Sequence, residues 1–431
     1  MKRSIDYSEV KADLPKKLKR LAVKSNLKTT MTTKMLFNIL SKAGYGYDAL
    51  LMESINIEHP GNRELILSEA NTNVNGLELD ELPRWYRKDK EVVLAIVKRH
   101  GCQLVHADKD MQADREIVLA AVQENGMALQ CASENLRRDF EIVLAAVQCE
   151  IQYYYWINDT HSLAYASNDL KENRDIVLAA VQSNGLALEY ASNQLQNTYE
   201  IVLAAVQSDG LALKYANELQ NTYEIVLAAV QSVGLALKYA SNELQNTYEI
   251  VLAAVRENGM TLAYASNELK NNREIVLAAV QSNVRAWDFA SASMQSNRDI
   301  VLAAVRNRYG YICFCRFGHE FYHDFDIVLA AVQNKKAYDI NTRWYSPLKY
   351  ASFGLQNTYE IVMAAVRICG CDLQYASNEM KNNRNIVLAA VRNDGFALEY
   401  ASNELQKNDE IIVAAYRQNN CVIKADWFPI D

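Results

Sequence analysis

With 431 residues, 50% of them apolar, the chain has material for two or three ordinary domains or for one longer array with a continuous core. Gly (15) and Pro (5) are scarce, which argues against long linkers, disordered tails and turn-rich β folds. The formal charge is −7, yet residues 1–50 hold eleven Lys/Arg and four acids, leaving −14 for residues 51–431; so acidic a body argues against general binding to phosphate backbones, which requires Lys and Arg to displace counterions.

Residues 1–61 form a basic head. Lys16-Lys-Leu-Lys-Arg-Leu-Ala-Val23 reads as a basic helix and Met35-Leu-Phe-Asn-Ile-Leu40 as an apolar one. The expected role is a helical cap over the first exposed core face; the alternative is a docking segment for an acidic partner or a membrane surface. No apolar stretch follows the opening Met-Lys-Arg-Ser-Ile-Asp, and no window approaches eighteen consecutive apolar residues, so neither a signal peptide nor a membrane span is expected. The eight Cys follow no regular disulfide framework and read as reduced thiols, which places the chain in the cytoplasm of the producing cell or of a host cell.

A faded repeat occupies 62–88, and tandem repeats of about 25 residues run over 89–417. The signature Ile-Val-Leu-Ala-Ala-Val begins at Ile117, Ile142, Ile176, Ile201, Ile225, Ile250, Ile275, Ile300, Ile327 and Ile386, with variants at Val92, Ile361 and Ile411. Three residues before each signature stands Asp, Asn or Thr, a side chain able to accept a bond from the first helical turn. An acid usually precedes the signature, where it faces the positive helix end. Gly stands nine residues after the signature's start in eight copies, as at Gly185 and Gly259, where a left-handed C-cap would need it. These marks predict a helix of roughly ten residues. A second short helix is predicted at Leu186–Ser192, with Leu195 anchoring the connector. Neither helix is stable alone, so stacking into an α-solenoid of about thirteen two-helix repeats is the expected all-α fold. The rival is a leucine-rich horseshoe, because Leu188-x-Tyr190-x-x-Asn193-x-Leu195 partly matches that family's phrase.

The phrases Arg273-Glu-Ile-Val-Leu-Ala-Ala-Val and Gly185-Leu-Ala-Leu-Glu-Tyr-Ala-Ser, repeated with matched spacing over 89–417, resemble the DUF4116 repeat family. The resemblance implies helical tandem repeats and a setting among large DNA viruses of amoebae, amoeba-associated bacteria and protists. It implies no chemistry and no catalytic residue.

In a repeat array the constant positions build the stack and the variable ones are free to bind. Six residues after each signature's start lies a long polar side chain, from Lys98 and Gln123 to Arg392 and Arg417. It reads as a solvated or inter-repeat ladder, or else as a recognition row akin to helical repeats that read nucleotides. Tyr190, Tyr215, Tyr239, Tyr264, Tyr375 and Tyr400 share a slot that also takes Phe289 and Cys131, so half-buried packing is expected there. A first-turn row of Tyr (Tyr199, Tyr223, Tyr248, Tyr359) and Arg (Arg115, Arg174, Arg273, Arg298, Arg384) is either a contact row or a cover for the neighbour's cap.

Two repeats carry aromatic insertions. Tyr153, Tyr154, Tyr155 and Trp156 lie in 149–162, and Tyr338, Arg343, Trp344 and Tyr345 in 334–347. Insertions in solenoids map to loops on one face, often the binding face, so these eight residues are the candidate partner contacts. Between them, in 307–323, Cys313, Cys315, His319 and His323 form a possible zinc set, His319 and His323 sharing a helix face. No H-E-x-x-H, G-x-S-x-G or Walker loop is present, so no enzyme and no cofactor is expected. Residues 418–431, with Trp427, form a C-terminal cap or tail. The expectation is a non-enzymatic scaffold for a protein partner, with self-association possible. The alternatives are a structural component of an assembly such as a virion, or a nucleic-acid-binding repeat, which the acidic body disfavours.

Overall fold

The computed structural model describes residues 84–149, 161–307, 318–334 and 346–418, with isolated positions between 63 and 82. It divides into two compact units, Met1–Asn217 and Glu218–Asp431. The basic head, the aromatic insertions and the C-terminal tail lie outside the described residues.

Each repeat begins with an α-helix carrying the signature. In the first unit these helices are Lys90–Val97, Arg115–Glu124, Phe140–Gln148, Arg174–Ser183 and Tyr199–Ser208, each packed on the next. In the second they are Tyr223–Ser232, Tyr248–Glu257, Arg273–Ser282, Arg298–Arg306, Phe325–Gln333, Tyr359–Ile368, Arg384–Asn393 and Asp409–Gln418, stacked in the same way. The signature divides each helix into faces. Ile201, Val202, Ala205 and Val206 are fully buried, while Leu203 and Ala204 are only half covered. Each unit is thus an all-α repeat solenoid, its core a continuous row of Ile, Val and Ala. No strand occurs among the described residues, which removes the leucine-rich alternative.

The caps follow a finer rule than the sequence suggests. At the nine Asp and Asn caps the side chain accepts backbone N–H bonds, as Asn173 does from Asp175 and Ile176 at 3.0 and 3.1 Å. The four Thr caps accept none. Thr198 has cap-like backbone angles (φ −90°, ψ 116°), but its hydroxyl donates 2.9 Å to the Gln194 carbonyl, one turn back. This is the local competition that Thr side chains offer a helix start.

The second element also departs from expectation. It is a 3-10 helix, Gly185–Tyr190, and not an α-helix. Residues three apart eclipse in a 3-10 helix, and Gly185 and Leu188 accordingly share the buried side. Successive 3-10 segments form a second row within each unit. The connector Asn193–Gln196 closes into one helical turn, buries Leu195, and lets Gln196 Nε2 donate to the Leu188 and Glu189 carbonyls at 3.0 and 3.1 Å. Gln112, Gln245, Gln295 and Gln406 repeat this role, and Lys171 reaches the Ala164 carbonyl at 2.7 Å. These long polar side chains satisfy the carbonyls that a short 3-10 helix leaves open.

The recurring glycine does not serve as a left-handed cap. None of Gly101, Gly126, Gly185, Gly234, Gly259 and Gly370 has a positive φ. A Cβ at Gly259 would lie 2.9 Å from the Asn283 backbone nitrogen and closer still to the Ala279 carbonyl oxygen, both in the next repeat. Gly101, Gly126, Gly185 and Gly370 meet the alanine carbonyl of their own next repeat in the same way. The glycine N–H then bonds across the seam, to Ser282 Oγ at 3.0 Å from Gly259 and to Asn393 Oδ1 at 2.8 Å from Gly370. The preceding residue, Asn184 or Asn258, caps the 3-10 helix by accepting from the second N–H beyond it at 3.0 Å. A further seam bond joins the serine of Ala-Ser to the preceding connector. Ser266 N donates 3.0 Å to the Gln245 carbonyl, and Ser291 Oγ donates 2.6 Å to Asn271 Oδ1.

Gly259→Ala is expected to cost about 1–3 kcal/mol or more, because its methyl meets backbone that cannot yield. Gly354→Ala, with nothing within 4 Å, is expected to be neutral or stabilising by about 0.5–1 kcal/mol. Thermal and denaturant unfolding of the two variants measures the contrast; equal losses would remove the seam explanation. Thr247→Asn, placed on backbone like that of Asn272, is expected to gain about 0.5–1 kcal/mol from a restored cap, read in the same experiment.

Candidate partner-binding surface

The cations of the first-turn row, and Tyr248, are occupied by contacts within the stack. Arg298 Nε and Nη2 hold the two oxygens of Asp324, the next repeat's cap, at 2.7 and 3.1 Å, and Nη2 also reaches Asp326 at 2.5 Å. Arg115 binds Asp139 and Glu141, and Lys90 binds Asp114 and Glu116. Where the next cap is Thr, one acid remains, as for Arg174 with Glu200. Arg273 pairs with Asp299, Arg384 with Glu410, and the Tyr248 hydroxyl bonds to Glu274. Arg63 extends the ladder backward onto Asp89 and Glu91. So the acid that the sequence assigns to the helix dipole also bridges to the preceding repeat, and this row covers caps.

The Tyr slot is half buried throughout, as are Phe289 and Cys131. The residue before it is exposed in most copies, and Tyr215 bonds across to Glu189 at 2.9 Å. The row six residues into the signature behaves differently. All thirteen of its members, Lys98 through Arg417, are exposed. Among the described residues their side chains form no hydrogen bond or ion pair with another repeat, which removes the inter-repeat ladder and leaves a solvated row. They share a face with the residue before the signature and with the third and fourth residues of the signature, since positions three, four and seven apart line up on a helix. Shallow grooves therefore run between successive first helices. One is floored by Leu277, Leu302 and Ala303 and rimmed by Gln281, Arg306 and Asp299. Another lies one repeat earlier, over Leu252, Leu277 and Ala278 between Arg256 and Glu274.

Tyr153, Tyr154, Tyr155, Trp156, Tyr338, Arg343, Trp344 and Tyr345 lie outside the described residues, but their points of departure are defined. Each insertion leaves the C-terminal end of a first helix, after Gln148 or Gln333, and returns at the second element of the same repeat, at Ser162–Tyr165 or Pro347–Tyr350. Cys149 and Asn334 close the outgoing ends, Asn334 Nδ2 donating 3.1 and 2.9 Å to the Val305 and Asn307 carbonyls. Both insertions replace the glycine crossing described above.

Cys313 and Cys315 also lie outside the described residues. His319 and His323 stand on a five-residue 3-10 helix, His319–His323, where residues four apart point about 120° from one another. The shared helix face expected of this pair is therefore absent. His319 instead meets Tyr322 edge-on, ring centroids 5.4 Å apart. No cluster of three or more His, Cys, Asp or Glu with metal-ligating geometry occurs among the described residues. Cys369 and Cys371 are free thiols whose pKa values burial pushes up to about 11 and about 12, the reverse of what a thiolate nucleophile requires. No helix among the described residues is long and apolar enough to cross a membrane.

The ladder makes stability depend on pH. Burial alone would raise the Asp324 pKa, but bonds from Arg298 and from the Ile327 N–H hold it below its ordinary value. Hydrogen bonding by Arg63 does the same for Asp89. A folded pKa below the unfolded one means the contribution is full near neutrality and lost as pH falls through the folded value. Asp324→Asn keeps the cap and removes the charge. It is expected to cost no more than about 1 kcal/mol at pH 7, Arg298 being half exposed, and the difference from wild type is expected to vanish as pH falls through the folded value. Parallel stability–pH curves for the two proteins would contradict this assignment.

No curated protein matches the chain, and no solved structure matches it. One family does, described as a domain of unknown function, DUF4116, and it matches seven segments: 114–160, 157–196, 198–245, 247–295, 324–381, 358–406 and 383–424. Every one of these segments contains a whole signature helix or the seam beside it, and together they cover more than half of the chain, which therefore belongs to the DUF4116 family.

Proposed function

We propose that this protein is a non-enzymatic scaffold that binds a protein partner through side chains displayed at fixed intervals on a self-sufficient frame. One contrast carries the reading. The recurring polar positions of the cap, first turn, connector and seam are bonded within the stack, whereas the thirteen residues six into the signature face solvent without such bonds. A row that the frame does not use is available to a partner. The aromatic insertions, with Tyr153–Trp156 and Trp344–Tyr345, join it as proposed contacts, since Tyr, Trp and Arg supply most binding hot spots. The free thiols at Cys102, Cys131, Cys149, Cys369 and Cys371 suit a reducing, cytoplasm-like compartment.

The test is affinity capture from lysates of the producing cell and of a host cell, using the whole chain and chains lacking residues 150–160 or 335–345. The expected result is at least one protein held stoichiometrically by the whole chain and lost with one deletion, while amide exchange of the repeat helices stays unchanged. A captured set identical across all three proteins would contradict the role given to the insertions.

A further inference from the structure

Within the exposed row Arg256 and Arg306 stand singly between glutamines, whereas the last three repeats carry arginine in succession. Seven of the thirteen positions are Gln, but Arg367, Arg392 and Arg417 stand on three successive helices, Tyr359–Ile368, Arg384–Asn393 and Asp409–Gln418. The middle helix is also the one copy without an acid before its signature, Asn385 taking that place, so its first turn carries no carboxylate. The acid of the following helix, Glu410, is already bridged by Arg384. On this face Glu360 and Asp409 are left against three arginines. A groove between the second and third helices holds Arg392 and Arg417 on its rim and Val413 and Ala414 on its floor, and Val413 is 45% exposed.

We infer that this groove binds an extended acidic peptide whose carboxylates recur at every third residue. The inference rests on the scaffold reading and names the partner chemistry of one of its surfaces. Helices pack about 8–10 Å apart and an extended chain advances about 3.3 Å per residue, so three residues span one repeat. Carboxylates at that interval meet successive guanidiniums, which take them bidentately. An apolar side chain between them meets Val413. A single-stranded nucleic acid fits less well. The groove offers no aromatic platform for a base, whereas Val413 and Ala414 on its floor suit the apolar side chains between carboxylates.

The probes are two fluorescein-labelled ten-residue peptides of one composition, one with Glu at every third position and Val between, the other with its Glu residues adjacent. Anisotropy titration uses the whole chain and its R367Q/R392Q/R417Q variant. Gln occupies the same position in seven other repeats, so the variant is expected to keep its melting temperature. The spaced peptide is expected to bind wild type at least ten-fold more tightly than the triple variant and at least three-fold more tightly than the adjacent-Glu peptide binds wild type. Should the triple variant unfold, R392Q alone is expected to weaken binding at least three-fold. Equal affinity for wild type and variant, equal affinity for the two peptides, or preferential binding of a thymidine oligonucleotide would overturn the inference. So would wild-type self-association that the triple substitution abolishes, which would make a second copy the occupant. A partner captured equally by wild type and triple variant, with no peptide binding, would remove the acidic-peptide groove and leave the scaffold reading standing.

Discussion

The regular repeats stack closely because glycine removes one methyl group from their seams. The carbonyl oxygen of an alanine in the next repeat occupies the space a Cβ would fill at Gly101, Gly126, Gly185, Gly259 and Gly370. That approach delivers the glycine N–H to a partner beyond the seam and brings the 3-10 segment under the next α-helix. The repeating 25-residue unit, the small alanines and the buried Ile-Val pairs all serve this one distance.

Around that contact the polar groups divide by task. Caps close the helix starts, Gln and Lys of the connector close the 3-10 ends, and the first-turn cations tie each repeat to the next cap. Few of these bonds is worth much singly, since exposed ion pairs contribute only about 0–1 kcal/mol. The effect of the first-turn ion pairs is registry, because each is made to the next repeat at the same place. Two positions with different variability thus have different meanings. The first-turn Tyr/Arg alternation follows the cap behind it within the same repeat, Asn or Asp with Arg and Thr with Tyr, as in Asn272-Arg273 and Thr247-Tyr248. The Gln/Arg alternation six residues into the signature follows no partner within the stack.

Irregular repeats obey the same logic. Where Val284 replaces glycine, the next helix ends a residue early, at Arg306, and Asn307 turns its amide back to the Val280 and Gln281 carbonyls at 3.0 and 3.1 Å. The helices that lead into the two insertions, Phe140–Gln148 and Phe325–Gln333, likewise end a residue early, yet each still packs on its neighbours. The frame tolerates such departures because each repeat contacts only its neighbours.

The sequence by itself determined the repeat, the helix starts and the buried face. Punctuation by Asp, Asn and Thr and the Ile-Val-x-x-Ala-Val period are local properties, and local physics reads them. It also showed the exposed row as a position of changing identity. The tertiary structure decided what a one-dimensional string cannot hold. The role of Gly185 depends on the position of Ala205 in the next repeat, so a C-cap and a seam contact look alike in sequence. The Tyr/Arg row reads in sequence as either a contact row or a cover for the neighbour's cap, and the bond from Arg298 to Asp324, 26 residues away, decides for the cover. Thr198 looked like a cap until its hydroxyl was found on Gln194. The connector Gln went unread because the carbonyls it satisfies exist only once the 3-10 helix has formed. In each case the deciding partner is supplied by the fold, and only its geometry separates the residues the frame consumes from those it leaves for a partner.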